Sequence, residues 1–306
     1  MQRYLLSRTL ESLGLLLGVL IIVFFMVRLT GDPASLMLPR EASAEQAAAF
    51  REAMGFDRPL PIQFAEFMFG AVQGDFGNSL HFRQPAFGLV IDRLPATIQL
   101  ATAALIFAII VAVPIGIIGG SKPGGFVDLI ARLIGLIGQT IPNFWLALIL
   151  MLIFAVRLRW LPSFGRDNWQ SVILPAVALG MGTMGQLVRL TRSAVLEIRN
   201  EEYIRTARSK GVPAWRLASH HIFRNATIPL VSVIGVQYGY LLGGSIYIET
   251  IFSWPGLGNL LDQAVSGRDF PLVQAIAFVI SLFIIALNLL TDIAYAILDP
   301  RIGYGE

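Results

Sequence analysis

Long runs without a charged residue constrain this chain more than any other feature. Five runs cover residues 94–121, 133–156, 168–188, 225–248 and 270–291, and a shorter sixth run extends from Leu13 to Val27. Because a charge at bilayer depth is costly and about 20 apolar residues cross the hydrocarbon core, each run predicts one membrane-spanning helix. Only 14% of the residues are charged, against about 25% in soluble domains. The sequence predicts an all-α membrane protein with six spans in a lipid bilayer.

The distribution of basic residues predicts the orientation of these spans. Arg3 and Arg8 precede the first span, and eight Lys or Arg residues lie between Arg189 and Arg224, after the fourth. Because cytoplasmic loops are enriched in basic residues, we expect both termini and this central loop in the cytoplasm, although three arginines between residues 157 and 166 run against the bias. No small-x-small cleavage site follows the first run, so we take it as a span rather than a signal peptide.

The first two spans are separated by a long insert that we expect outside the cytoplasm. The spans and this insert divide the chain into a tail with span 1 (1–30), the insert (31–93), a membrane core with the central loop at 192–224 (94–300) and a C-terminal tail (301–306). Within the insert, a Gly-Asp-Pro turn at 31–33 is followed by a capping box of Ser43 with Gln46, and Gly55 closes the helix that the box opens.

Two further helices are predicted in the insert. One runs from Pro61 to Val72 and places Phe64, Phe67, Met68 and Val72 on one face. The other covers Gln84–Leu94 and is expected to lie along the membrane, after a turn at Gly74–Leu80.

The central basic loop predicts a short helix with its own start and stop signals. Asn200 is the predicted N-cap, Glu201 and Glu202 lie in the first turn, Arg208 and Lys210 in the last, and Gly211 just past the end. An apolar stripe of Tyr203, Ile204 and Ala207 would hold this helix, which is too short to be stable alone. A second helix is predicted from Pro213, with Trp215, Leu217, Ala218 and Ile222. Two interpretations remain open, a knob that docks on a partner and a solvated basic loop near lipid.

Proline, glycine and polar residues mark irregular or functional points within the spans. Pro114 with Gly116 is predicted to interrupt span 2 and Pro142 to interrupt span 3, whereas Pro175 enters span 4. Gly235, Gly239 and Gly243 form a stripe on span 5 that predicts close helix packing. Four polar residues of span 5 are candidates for a translocation path, with interhelical hydrogen bonding as the alternative. They are Gln237, Tyr238, Tyr240 and Ser245. Asp292 lies near the cytoplasmic end of span 6, so a proton relay is not favoured.

The segment after span 5 predicts an outer loop that dips back toward the pore. Its turn at Pro255 and Gly256 follows Glu249, Phe252 and Trp254, and an aromatic anchor among lipid headgroups is one interpretation of Trp254.

Several chemistries have no support in the sequence. The chain has no cysteine, no G-x-x-x-x-G-K-[ST] phosphate-binding loop and no G-x-S-x-G, and its three histidines lack metal-ligand spacing. The net charge of +3 is small, and the clusters of basic residues lie beside the spans, so nucleic acid is not a predicted partner. An intramembrane enzyme is therefore disfavoured, and we expect no metal site.

Several strings resemble a known family. Thr206-Ala207-x-x-x-Gly211 resembles the core of the EAA loop in permease subunits of binding-protein-dependent ABC importers. The dipeptide/oligopeptide/nickel branch, in its first-type permease with a long insert, has similar strings, namely EYIRTARSKGV, FRNATIPL, FDRPLPIQF, QGDFGNSL, ETIFSWPGLG and NLLTDIAYAILDPRI. The chain departs from the general motif with Arg205 in place of Glu and Phe223-Arg224 in place of Leu-Pro, as that branch does.

The resemblance implies the type I permease fold and import of di- or oligopeptides across a bacterial cytoplasmic (inner) membrane. It implies a second homologous permease, two ABC ATPase subunits that bind ATP and Mg, and an extracytoplasmic substrate-binding protein, which the insert would contact unless it only caps the pore. It makes the loop helix a coupling helix to the ATPase through Tyr203, Ile204, Arg205, Thr206, Ala207, Arg208, Lys210 and Gly211. It also makes four residues of the outer loop candidates for an outer gate, namely Glu249, Phe252, Trp254 and Pro255. Nickel, glutathione or an oligosaccharide remain open as substrates, and an ion-coupled secondary transporter is the alternative from another class.

Overall fold

The computed structural model describes residues 2–29, 38, 43–53, 55–213, 216–217 and 223–298 of the chain. Its helices, in chain order, are α1 (Gln2–Leu29), α2 (Ala44–Ala53), α3 (Leu60–Gln73), α4 (Ala86–Ser121), α5 (Phe126–Thr140), α6 (Asn143–Leu150), α7 (Ile173–Arg199), α8 (Glu202–Ser209), α9 (Phe223–Ile251), α10 (Leu257–Ser266) and α11 (Phe270–Leu298). A π-helical segment, Met151–Arg157, continues α6, and a 3-10 turn, Trp169–Val172, precedes α7. The predicted all-α class is confirmed.

Each of the six uncharged runs falls on a helix or a helix pair. Among the described residues, three helical stretches are long and apolar enough to cross a membrane, namely Ala86–Ser121, Trp169–Arg199 and Phe270–Thr291. A fourth candidate is the bent pair of Phe126–Thr140 with Asn143–Arg157, and Leu10–Met26 is a shorter apolar helix. The count of six spans stays a prediction.

The third predicted span is broken where Pro142 was expected to interrupt it. α5 and the helix that follows are bent by 103°. Ile141 has extended backbone angles, φ −80° and ψ 123°, because the ring of the following proline disfavours the helical region at the residue before it. The run at 133–156 therefore forms two helical arms.

The interruption predicted at Pro114 and Gly116 is wrong, because α4 continues through both as one helix of 36 residues. A Cβ on Gly116 would lie 2.5 Å from the Cβ of Thr191. This glycine therefore permits close packing on α7 rather than a break. The predicted separate helix at Gln84–Leu94 is wrong for the same reason, since residues from Ala86 onward are the first turns of α4.

The first of two compact units comprises Met1–Ala96 and Gly256–Ala286. Its core combines Leu20 of α1, Ala71 of α3, Val90 of α4, Leu260 of α10 and Ile276 of α11. The aromatic ring of Phe24 is fully buried and lies 5.1 Å from that of Phe64 and 5.5 Å from that of Phe67, measured between centroids. The insert helix α3 is therefore packed on α1 within this unit.

Several details of the insert follow its sequence signals. The capping box is confirmed, since Gln46 N–H donates to Ser43 Oγ at 3.2 Å and Ser43 N–H donates to Gln46 Oε1 at 2.9 Å. Gly55 closes α2 with φ +68°. The predicted apolar face of α3 is wrong at Val72, which is 83% exposed, whereas Ala71 is buried in its place.

The second unit comprises Thr97–Pro255 and Leu287–Glu306. Glycines bring α5 and α7 into backbone contact, since a Cβ on Gly138 would lie 2.8 Å from the carbonyl oxygen of Met181. The stripe on α9 is confirmed as a packing site only at Gly235, where a Cβ would meet Thr291 at 2.3 Å. At Gly239 and Gly243 nothing in the described part of the chain lies within 4 Å of that position.

Some predictions fall outside the described residues. These are the Gly-Asp-Pro turn at 31–33, most of the second loop helix (Trp215, Ala218, Ile222), the tail 301–306, and the side chains of Arg3, Arg8, Arg208, Arg224 and Asp292.

Candidate functional site

The predicted loop helix is present as α8, Glu202–Ser209. Asn200 is not its N-cap, because its N–H donates to Glu197 O and closes α7, whereas the carbonyl of Glu201 accepts from Ile204 N–H at 3.1 Å and Arg205 N–H at 3.2 Å. Asn200 caps α7 because α7 extends past its apolar stretch to Arg199, and only two residues separate α7 from α8.

The predicted end of α8 is confirmed. Gly211 has φ +76°, in the left-handed region that favours glycine. The N–H of Val212 donates to Ala207 O at 3.2 Å, which is the six-to-one bond of a Schellman cap.

Packing of one side chain holds α8 against the membrane helices. Ile204 is fully buried in a cluster with Val195 of α7 and Leu217, against which Ile117 of α4 also packs. Ala207 joins the edge of this cluster. Tyr203 does not, since it is 43% exposed, so the predicted stripe is corrected to Ile204 and Ala207. The burial of Ile204 explains how a helix as short as α8 is kept folded.

The opposite side of α8 is open to solvent in this chain. Arg205, Thr206, Lys210 and Gly211 are exposed together with Tyr203. The Thr206 hydroxyl donates to Glu202 O at 3.1 Å, a bond within the helix. α8 therefore has one side fixed to the chain and one side available to a partner.

A buried carboxylate lies near the start of α5, where α5 meets α7. Asp128 is 2% exposed and pairs with Arg192, while Arg132 NH2 lies 3.6 Å from Asp128 Oδ2. The N–H of Gly124 donates to the same oxygen at 3.0 Å. The sequence did not identify this cluster, because 64 residues separate Asp128 from Arg192.

Two clefts, each open to the outside of the chain, lie side by side in the second unit. The first, of about 620 Å³, contains no charged residue among the described side chains that line it. We call it the carboxamide chamber for its polar lining residues, Gln139, Asn143, Thr183, Gln186, Gln237, Tyr240 and Tyr247.

The second cleft has about 710 Å³ and a basic lining. We call it the arginine chamber, for Arg132, Arg189 and Arg192, and Gln186 lines it as well as the carboxamide chamber. Gln237 Nε2 donates to Gln186 Oε1, so this bonded pair of side chains stands where the two chambers meet.

The structure separates the four path candidates into two pairs. Gln237 and Tyr240 line the carboxamide chamber. Tyr238 instead forms a 2.7 Å hydrogen bond between its hydroxyl and that of Thr102 on α4, and the Ser245 hydroxyl donates within α9 to Leu242 O at 2.9 Å and to Glu249 Oε1 at 3.0 Å. The alternative of interhelical hydrogen bonding therefore describes Tyr238, whereas Ser245 bonds within its own helix.

The candidate gate residues cluster at the end of α9. Glu249 is fully buried and also accepts from the Thr97 hydroxyl at 2.8 Å. Phe252 is 1% exposed, and Pro255, partly buried, follows Trp254 at the turn. The carbonyl of Phe252 accepts from Gly165 N–H at 3.1 Å, which ties the preceding loop to this segment.

Trp254 is buried within the protein. Its side chain has no exposed surface, and the guanidinium carbon of Arg166 lies 5.9 Å from the ring centroid. The backbone N–H of Trp254 donates to Glu249 O at 2.8 Å. The alternative of an aromatic anchor among lipid headgroups is therefore wrong.

Asp269 is a second buried carboxylate that the sequence did not identify. In the first unit, Asp269 precedes α11 and accepts from the Ser79 hydroxyl, from His81 N–H at 3.1 Å and from Leu272 N–H at 3.3 Å. Ser79 and His81 lie 190 and 188 positions away along the chain, so no local signal could have shown these two contacts. Asp269 joins the insert turn to the start of α11.

Within the described residues, no group of three or more His, Cys, Asp or Glu side chains is placed to hold a metal ion.

Two family models together match almost the whole chain. Residues 112–304 match the model described as binding-protein-dependent transport system inner membrane component. Residues 1–101 match the corresponding N-terminal model for membrane components of these systems.

Curated relatives match over their full length. The chain is 40% identical over 305 residues to the glutathione transport system permease protein GsiC of Salmonella typhi, with 99% of this chain and 100% of that protein covered. The protein of the same name from Escherichia coli (strain K12) is 39% identical over the same coverage.

Solved structures share the fold at low sequence identity. The MetNI methionine ABC transporter in an inward-facing conformation matches with a TM-score of 0.58 at 18% identity, covering 69% of this chain and 96% of that chain. An amino acid ABC transporter with histidines matches with a TM-score of 0.54 at 17% identity, covering 68% and 93%.

Proposed function

Because the chain belongs to the family of binding-protein-dependent transport system inner membrane components and is a permease subunit of an ABC importer, we propose that its substrate is a peptide, with glutathione as the first candidate. The observation that carries this proposal is the 40% identity to glutathione permeases along the whole length of both proteins. Glutathione, itself a tripeptide, is one of the alternatives that the sequence leaves open beside the predicted di- or oligopeptide substrate. Family membership removes the ion-coupled secondary transporter as an explanation.

The family implies partners that bind the solute and hydrolyse ATP. We propose the full set as a second homologous permease, two ABC ATPase subunits that hold ATP and Mg, and an extracytoplasmic substrate-binding protein. In this arrangement the insert around α2 and α3 meets the binding protein. The termini and α8 lie on the cytoplasmic side of the inner membrane, as the basic loop favours.

α8 is the proposed contact with an ATPase subunit. Its exposed side, with Tyr203, Arg205, Thr206 and Lys210, would enter a groove on that subunit, while Ile204 and Ala207 stay in the permease. Arg208 and Gly211 complete the predicted coupling set. Closure of the ATPases would then move α8 and, through Ile204, the ends of α4 and α7. Such coupling requires that the α8 contact differ in free energy between the inward-open and outward-open states.

The carboxamide chamber is the proposed substrate path, entered past the segment Glu249–Pro255. Its volume of about 620 Å³ is in the range of pockets that hold small ligands, roughly 300–1,000 Å³. Gln237 and Tyr240 are the sequence-predicted path residues that line it. Glu249, Phe252, Trp254 and Pro255 line neither chamber, so as gate residues they would act by moving the end of α9.

Purification with partners, followed by transport, tests the proposal. The tagged chain is solubilised mildly, and co-purifying proteins are identified by mass spectrometry. The complex is then reconstituted in proteoliposomes with its binding protein, and ATP-dependent transport of labelled glutathione is compared with that of labelled dipeptides. We expect a second permease and an ATPase in the complex, and transport of glutathione. A complex that moves nickel or an oligosaccharide but neither peptide probe would refute the peptide assignment and leave the importer class intact.

A further inference from the structure

The arginine chamber and the carboxamide chamber meet at the same level on three helices, α5, α7 and α9. On α5, Arg132 and Leu136 line the arginine chamber and Gly138 and Gln139 the carboxamide chamber. On α7 the change occurs at Gln186, which lines both.

The same change occurs on α9. Val233 lines the arginine chamber, and Gln237, one turn later, lines the carboxamide chamber. The bonded pair Gln186–Gln237 therefore crosses from α7 to α9 at the level that divides the two chambers.

The chemistry of the two chambers differs in a way that fits the two polar parts of a peptide. A side-chain carboxamide has the donor and acceptor set of a peptide group. A substrate peptide group can therefore replace Gln186 as the partner of Gln237 without loss of hydrogen bonds. Gln237 is only 7% exposed, so an apolar replacement of its partner would leave a buried polar group unsatisfied, which is costly.

The arginine chamber supplies the charge that the carboxamide chamber lacks. Arg192 and Arg132 lie beside the carboxylate of Asp128, whereas no ion pair of Arg189 is found among the described residues. The aliphatic part of Arg189 lies over Gly135, where a Cβ would meet its Cγ at 2.6 Å. A guanidinium in this position attracts a carboxylate that leaves the neutral chamber.

We propose that Gln186 and Gln237 form the selectivity point of the translocation path, at which a small peptide passes from the carboxamide chamber to the arginine chamber. The side-chain amides exchange their mutual bond for bonds to the peptide groups of the substrate. Arg189 then receives the free carboxylate. The inference rests on the proposed function, and it narrows the substrate class to short peptides that carry both peptide groups and a free carboxylate.

The test measures ATP-dependent transport by the reconstituted complex with two probes, a labelled tripeptide and its C-terminal amide. Each variant is compared with the unmodified protein for the same probe, so that selection by the binding protein cancels. Gln237→Leu is expected to lower transport of both probes about tenfold, the effect of one lost hydrogen bond.

A matched control removes the same chemistry elsewhere. Gln263 Nε2 donates to Asn259 Oδ1 on α10, a second bonded carboxamide pair, and neither residue lines a chamber. Gln263→Leu is expected to leave transport of both probes unchanged. If Gln237→Leu does not assemble, Gln186→Leu, at the exposed member of the pair, takes its place with the same expectation.

The charge is tested separately. Arg189→Gln is expected to lower transport of the free acid at least fivefold more than that of the amide, whereas Arg189→Lys, which keeps the charge, preserves the ratio.

The outcomes separate this inference from the proposed function. Transport within twofold of the unmodified protein in Gln237→Leu, or an equal loss of both probes in Arg189→Gln, overturns the selectivity point while peptide import stands. If the unmodified complex moves neither peptide, the proposed function fails and the inference fails with it.

Discussion

Asp128 illustrates what single residues contribute to this protein. A buried carboxylate is tolerated only when its charge is paired and its oxygens are bonded, and Asp128 satisfies both conditions through Arg192, Arg132 and the N–H of Gly124. Asp128 neutralises Arg192, which lies in the part of α7 beyond the apolar run that ends at residue 188.

Replacement of Asp128 is expected to destabilise the protein. Asp128→Ala leaves the Arg192 side chain, which is 24% exposed, without its partner, and we expect a loss of about 2–3 kcal/mol, discounted for that exposure. The measurement is the apparent melting temperature of the purified complex in detergent, followed by size-exclusion chromatography after heating. Glu66→Ala is the matched control, because it removes an acid from the exposed Arg58–Glu66 pair. We expect a change below about 1 kcal/mol for the control, and equal shifts for both variants would contradict the prediction.

Predictions for single residues are confirmed where the signal comes from neighbours in sequence, and are wrong where the side chain packs against a distant part of the chain. Ser43 with Gln46 and Gly211 perform the capping roles that their spacing indicates. The stripe on α8 was assigned to Tyr203 as well as Ile204, and only the contact with Val195 of α7 decides that Ile204 is the buried one. Periodicity gives the face of so short a helix only to within about one residue.

At the scale of elements, glycine and proline have different effects that the sequence does not distinguish. Pro142 bends its span by 103°, whereas Pro114 lies within an unbroken helix. The glycines that matter are those opposite another backbone, such as Gly138 against Met181 and Gly180 against Ala104. Which glycine has an opposing helix is a property of the tertiary structure, so the stripe on α9 was assigned correctly only at Gly235.

Two glycine substitutions are expected to have opposite effects on stability. Gly138→Ala places a Cβ 2.8 Å from the carbonyl oxygen of Met181, so α5 must move away from α7, at a cost of about 1–3 kcal/mol. Gly14→Ala lies in α1 with nothing within 4 Å in the described residues, and a helical alanine is expected to stabilise by about 0.5–1 kcal/mol. Apparent melting temperatures of the two purified variants check the signs. A stability for Gly138→Ala equal to or above that of the unmodified protein would refute the close approach.

At the scale of the whole molecule, the sequence predicts where apolar helices lie along the chain, because each uncharged run falls on a helix or a helix pair. It does not predict the chambers, since each is lined by α5, α7 and α9 together. Gln237 could be selected as a polar residue at bilayer depth, but so could Tyr238, and only the structure shows that one lines a cavity and the other bonds to Thr102.

Coupling of ATP hydrolysis to the translocation path requires that α8 make two different contacts. Ile204 faces the permease, where it is fully buried, and Tyr203 faces outward, 43% exposed. Ile204→Ala removes buried side-chain volume, at about 2–5 kcal/mol, which loosens α8 from α4 and α7 and leaves its outer side unchanged. We expect this variant to retain the ATPase during purification, and to hydrolyse ATP without the stimulation that loaded binding protein gives the unmodified complex. Tyr203→Ala should instead reduce the amount of ATPase that co-purifies. If both variants lose the ATPase equally, α8 acts as one undivided docking surface and the transmission through Ile204 is wrong.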